Sequence, residues 1–141
     1  MNKHSITIHS PSDFESMKKA GQLASDVLDY LTPFVEPKVT TGFLNDLAHE
    51  YIVSKGAIPA PLNYKGFPKS TCISVNHVVC HGIPGDKKLN SGDILNIDVT
   101  VILDGWYGDT SRMFFAGKPS IKAKRLCDIT YQCLMVGIEA S

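Results

Sequence analysis

No run of about 18 or more apolar residues occurs in the sequence, so no segment reads as a membrane-spanning helix. Charge of one sign is not in excess either. Fourteen basic residues balance fourteen acidic ones. That balance argues against an electrostatic nucleic-acid binder, which would need a basic face, and neither nucleic acid nor membrane is expected as a partner. The opening residues Met1 to Thr7 contain no apolar stretch of the signal-peptide kind, so a cytoplasmic location is expected. Cysteine is scarce, at Cys72, Cys80, Cys127 and Cys133. Their spacings fit neither a zinc knuckle nor a Cys-x-x-Cys redox pair, and reduced thiols are expected. Repeats and low-complexity tracts are absent.

What is present suits one folded domain. The 141 residues are 43% apolar and 20% charged, which excludes a disordered or collagen-like chain. A chain of this size buries roughly two-thirds of its unfolded surface without staples.

Residues 1–10 are polar and unpatterned, and read as a tail or an edge strand. Ser12 to Glu15 has the form of a capping box. Behind it Phe14, Met17, Ala24, Val27, Leu28 and Leu31 recur at helical spacing, which predicts a helix from about residue 13 to the neighbourhood of Pro33 with this stripe in the core. Thr40 or Thr41 can cap a second helix that buries Leu44, Leu47, Ala48, Tyr51 and Ile52, with Gly56 just past its end. His49 on that helix reads as a surface or half-buried histidine rather than a ligand. Pro59, Pro61, Gly66 and Pro68 make the next segment irregular, and its Tyr64 and Phe67 are either core plugs or pocket walls. Thr71 to His81 reads as two short strands broken at Asn76-His77, with His77 in a surface turn and His81 at the exit of the second strand. Ser120 can cap a last helix through Leu126, Ile129, Cys133 and Val136.

Residues 94–117 are the most legible part. Leu95, Ile97, Val99 and Val101 alternate with Asn96, Asp98 and Thr100, and Asp104-Gly105 suits a two-residue type I′ turn. That turn pairs Leu103 with Trp106, so Asp98 falls opposite Ser111 and Asp109 opposite Thr100. The two carboxylates then share a polar face as diagonal neighbours, about 7–8 Å apart at Cβ. Two acids so placed repel unless a cation lies between them. Hard carboxylate oxygens suit Mg, Mn, Fe(II), Co or Zn, and two acids can serve a metal pair. The alternative is a solvated acidic pair, one member of which pairs with Arg112 or a lysine. A one-residue slip of register would separate the two acids altogether. His81 is either a general acid and hydrogen-bond donor or a structural histidine.

Four runs carry a specific resemblance: Asn-Tyr-Lys-Gly-Phe-Pro-Lys-Ser (63–70), Val-Val-Cys-His-Gly-Ile-Pro (78–84), Gly-Asp-Ile-Leu-Asn-Ile-Asp-Val-Thr (92–100) and Gly-Asp-Thr-Ser-Arg-Met-Phe (108–114). In this order and spacing they closely resemble type I methionine aminopeptidase of the bacterial kind, from about residue 10 onward. The resemblance implies a pita-bread (creatinase/aminopeptidase) fold of mixed α/β (α+β) class, with a curved antiparallel sheet, covering helices and a dinuclear metal site. It implies removal of the initiator methionine from nascent polypeptides. It also implies two divalent ions (Co, Mn, Fe(II) or Zn), a peptide with N-terminal Met as partner, ribosome association and a monomeric full-length form.

By the same resemblance, Asp98 and Asp109 match metal ligands, and His81 matches the histidine that donates to the scissile amide or its leaving nitrogen. Tyr64, Phe67 and Cys72 match walls of the methionine pocket, where aromatic faces and a thiol suit a soft thioether. Such enzymes are roughly twice this length. Their remaining ligands, a histidine and two glutamates, lie in a second half with no counterpart here. Residues 1–10 are thus expected to be a tail and 11–141 the N-terminal half of one metallopeptidase domain, with an incomplete site and a bare apolar half-interface. Phe43, where a helix-capping acid is common, and Gly85 depart from the pattern. Competing expectations are a non-catalytic pita-bread binding module, a relict fragment and an Xaa-Pro peptidase. The retained acids argue against a binder. The Cys-His-Gly-Ile-Pro run and the pocket residues favour methionine.

Overall fold

A computed structural model describes residues 6–141. The expected N-terminal tail falls partly on residues 1–5, outside the described residues, while residues 6–10 are exposed and take no regular structure. Helix α1 spans Pro11–Leu31. Its capping box is not at Ser12 and Glu15 but two residues earlier. The Ser10 N–H donates to the Asp13 carboxylate at 2.8 Å, a contact that holds the Asp13 pKa below its ordinary value. Pro11 suits the first helical position because its missing N–H would have no partner there, so Ser12 falls inside the first turn.

The buried stripe of α1 is Ala20, Leu23, Ala24, Val27, Leu28 and Leu31. Phe14 and Met17, expected in the core, are 59% and 48% exposed because no described element covers the first turns. A 3₁₀ turn at Thr32–Phe34 takes over where Pro33 ends the helix. Helix α2 spans Thr41–Ser54. The Thr40 hydroxyl accepts from the Phe43 N–H at 3.1 Å. The Gly42 N–H donates to the Gly85 carbonyl at 2.8 Å, so this end is satisfied without an acid at position 43. Leu44, Ala48 and Ile52 are buried, Leu47 and Tyr51 half-buried.

Four strands form one sheet: β1 (Ile58–Pro59), β2 (Cys72–Val75), β3 (Ile94–Leu103) and β4 (Trp106–Phe115). β3 lies at its centre. β4 runs along one edge of β3, and β1 and β2 lie end to end along the other, all antiparallel to it. Asp104 and Gly105 both have positive φ (50° and 83°), as a type I′ turn requires, and the register is the expected one, Asp98 against Ser111 and Thr100 against Asp109. Residues 78–81 do not form the second strand expected there. Left-handed backbone at Asn76 and His81 (φ 54° and 53°) breaks the extended run. Beyond the turn bond from the Val78 N–H to the Val75 carbonyl at 3.2 Å, a backbone bond from the Ile73 N–H to the Gly82 carbonyl at 2.9 Å ties the returning chain to β2.

One face of the sheet is the core. Leu95, Ile97, Val99 and Val101 of β3 and Phe114 of β4 pack against α1, with α2 beside it. Helix α3 (Ile121–Glu139) is capped by Ser120, whose hydroxyl accepts from the Ala123 N–H at 3.1 Å. Its apolar stripe is not buried: Leu126 and Val136 are 62% and 66% exposed. The four cysteines are free thiols. Among the described residues no helix is long and apolar enough to cross a membrane.

Helix α1 and the sheet come into backbone contact at Gly108. A Cβ there would lie 2.0 Å from the Ala20 carbonyl oxygen and 2.5 Å from the Gly21 nitrogen. These are backbone atoms, which cannot swing aside. Gly108→Ala should therefore lower stability by about 3 kcal/mol, the upper part of the overpacking range. Gly21→Ala meets nothing within 4 Å and should raise it by about 0.5–1 kcal/mol through helix propensity. Urea midpoints of the two variants, compared at equal m-values, check both signs.

Candidate active site

The other face of the sheet carries the polar residues. Because side chains alternate along a strand, Asn96, Asp98 and Thr100 of β3 share this face with Tyr107, Asp109 and Ser111 of β4. Cys72 of β2 is the register partner of Asp98 on the opposite side from Ser111. Cys72, Asp98 and Ser111 thus form one row, and Thr100 and Asp109 the next. The only bond between side chains along this row structure is weak, from the Asn96 amide to the Ser111 hydroxyl at 3.3 Å.

Among the described residues the carboxylates form no salt bridge. Arg112, a potential partner on sequence grounds, points to the opposite face and pairs with Asp29 of α1 at 2.7 Å. The other described ion pairs, His9 with Asp13 and Lys124 with Asp128, are also elsewhere. The electrostatics record the result. Burial raises the Asp98 pKa, the Asp109 charge raises it further, and His81 partly offsets both. Cys72 is pushed up to about 11, first by burial and then by the charges of Asp98, Cys80 and Asp109. It stays a neutral thiol at neutral pH.

A cleft of about 700 Å³ opens over this face. It brings together all six residues singled out from the sequence: Tyr64, Phe67, Cys72, His81, Asp98 and Asp109. Tyr64 sits in a 3₁₀ turn at Tyr64–Gly66 and is exposed, Phe67 is half-buried, and Cys72 is buried at the floor. His81 is exposed and held in left-handed backbone rather than at the end of a strand. Ile83 and Tyr107 also line the cleft. Tyr107 went unnoticed, although its place two residues before Asp109 puts it on the same face.

The donors suit a hard divalent cation. Two carboxylates share a face, repel each other and form no salt bridge among the described residues, and a cation between them would relieve the repulsion. Two carboxylates are fewer donors than such a cation takes. Among the described residues no group of three His, Cys, Asp or Glu is placed to hold an ion.

Comparison with known proteins bears on the fold and the family. The methionine aminopeptidase of Rickettsia prowazekii is 64% identical over 134 residues, covering 95% of this chain and 52% of the relative. That of Escherichia coli K12 is 53% identical over 135 residues, covering 94% and 51%. The crystal structure of the Rickettsia prowazekii enzyme superposes with a TM-score of 0.91 at 63% identity, over 93% of this chain and 53% of that one. The chain therefore spans about half the length of the curated relatives it matches. Its open antiparallel sheet and covering helices are those of the pita-bread fold, and more distant peptidases share that fold alone. The family model described as metallopeptidase family M24 matches residues 15–141. With nearly the whole of the described chain accounted for in this way, the protein belongs to metallopeptidase family M24, and use of a divalent metal comes with the family.

Proposed function

We propose that residues 11–141 carry one part of the active site of an aminopeptidase that removes N-terminal methionine from peptides. The observation behind this reading is the placing of Asp98 and Asp109 on one sheet face, with no salt bridge to either among the described residues. The match to methionine aminopeptidases at 53–64% identity supports the same substrate.

Asp98 and Asp109 would hold divalent metal, two ions of Co, Mn, Fe(II) or Zn, with further ligands from outside these residues. Such ions supply Lewis-acid polarisation of a peptide carbonyl and a water of lowered pKa. The chain's own groups do the rest. Tyr64 and Phe67 offer aromatic faces to the methionine side chain. The protonated Cys72 thiol adds a soft, uncharged contact and so suits a thioether. His81, exposed at the cleft and within electrostatic reach of Asp98, donates a hydrogen bond to the scissile amide or its leaving nitrogen. The peptide enters amino end first, as a newly made chain in the cytoplasm or at the ribosome would. A purely peptide-binding role gives no reason to keep Asp98, whose ionisation burial and the Asp109 charge oppose.

Manganese titration calorimetry of the chain as it stands is the direct test. Asp109→Asn should weaken binding about tenfold or more, since even outer-shell changes at metal sites weaken affinity by that order. Equal manganese affinity in the variant would remove the assignment.

Binding should also fall in acid. A metal takes the ionised carboxylate, and the raised Asp98 pKa starts the loss above the ordinary carboxylate range. The same shift has a consequence for the metal-free fold. Above about pH 4 the unfolded state ionises this aspartate readily, whereas the folded state resists. Asp98→Asn should therefore stabilise the metal-free chain at pH 7. The gain should vanish by about pH 2.5, well below the unfolded pKa of about 3.9, where the carboxyl is protonated in both states. Urea midpoints at the two pH values read this directly.

A further inference from the structure

The cleft wall formed by Tyr64 and Phe67 stands on a segment that does not hold itself. Asn63, Lys65 and Gly66 all have left-handed backbone (φ 66°, 46° and 85°), a conformation disfavoured for the two that carry a Cβ. Its internal support is a tight turn, with the Asn63 N–H donating to the Phe67 carbonyl at 2.8 Å and the Phe67 N–H to the Tyr64 carbonyl at 2.9 Å. Strain of this kind persists only where the surroundings over-determine it.

The surroundings are supplied by α2. Asn45 is buried, and its side-chain oxygen accepts three hydrogen bonds: from the Ser70 N–H at 2.9 Å, the Thr71 N–H at 3.2 Å and the Thr71 hydroxyl at 3.2 Å. Two backbone donors fix which end of the amide points there. His49, one turn further along the same helix face, meets the Ser70 hydroxyl through Nδ1 at 2.8 Å. Four contacts from one helix face thus converge on two residues. Those residues join the strained segment to Cys72, the floor of the cleft.

We propose that Asn45 and His49 are positioning residues for the cleft. They clamp Ser70 and Thr71 and so hold the Tyr64–Phe67 wall opposite Asp98 and Asp109. The functional meaning of the clamp rests on the reading of the cleft as a methionine pocket. The clamp itself does not.

Hydrogen–deuterium exchange of the full chain, run alongside iodoacetamide alkylation of Cys72 read by mass spectrometry, tests the clamp. In Asn45→Ala, amides of residues 63–71 should exchange at least tenfold faster and Cys72 should alkylate faster in step, while β3 amides keep their wild-type rates. Asn45→Asp, which keeps the acceptor oxygen, should restore both rates. His49→Ala should loosen the same residues about threefold, and it decides the matter if Asn45→Ala does not fold. Wild-type rates in the variants would overturn the proposal. So would acceleration shared equally by β3, because that reports a general loss of stability rather than a local clamp. Manganese calorimetry on the same proteins keeps the two readings apart. No binding even in the wild type would sink the metal reading and leave the exchange rates to judge the clamp.

Discussion

The two-residue turn at Asp104-Gly105 governs everything that follows from β3 and β4. It sets the register of the ladder, and the register sets the parity of every side chain on both strands. With this parity, Leu95, Ile97, Val99 and Val101 face the helices, and Asp98 and Asp109 face the cleft together. A slip by one residue on either strand would bury one carboxylate in the core and strand an apolar residue at the cleft. Core and candidate site are the two faces of one ladder, so neither can change register without the other.

The helical layer reinforces this. α1 lies so close to β4 that only a hydrogen fits at Gly108. That contact puts backbone against backbone and leaves the stripe from Ala20 to Leu31 to fill the space along the sheet. It also draws Arg112 to Asp29 on the helix side, away from the acids. Among the described residues the two carboxylates therefore form no salt bridge, an arrangement that favours a divalent cation. α2 acts at a distance in a comparable way. Its N-terminal end is tied to Gly85, beyond the His81 segment, and its Asn45 and His49 reach the segment before β2. The two irregular stretches that border the cleft are thus referenced to the same helix.

Much of this was legible in the sequence because it depends on short-range rules. Alternation along 95–101, the Asp-Gly turn and the arithmetic of a two-residue hairpin gave the shared face of Asp98 and Asp109 directly. Helical spacing gave α1, α2 and α3, and the motif runs gave the family later matched over residues 15–141. The failures have local causes. The α1 cap lies at Ser10 because Pro11 can open a helix. Residues 78–81 are β-branched in part yet stay out of the sheet, because His81 adopts left-handed backbone. Phe14 and Met17 fit the helical stripe but stay largely exposed among the described residues, and periodicity alone carries no information about where a neighbouring layer stops.

By itself, then, the sequence determined the alternation, the turn and the caps, and through them which residues could share a face. Each of these depends on atoms only a few residues apart. The tertiary structure decided which of those faces would be covered, where Arg112 would spend its charge, and how Tyr64, Phe67, Cys72 and His81 would meet the two acids in one cleft. Those outcomes depend on segments far apart in the chain coming to rest against one another. No local pattern encodes a hydrogen bond such as that from Thr71 to Asn45, because its geometry exists only once helix and sheet are packed.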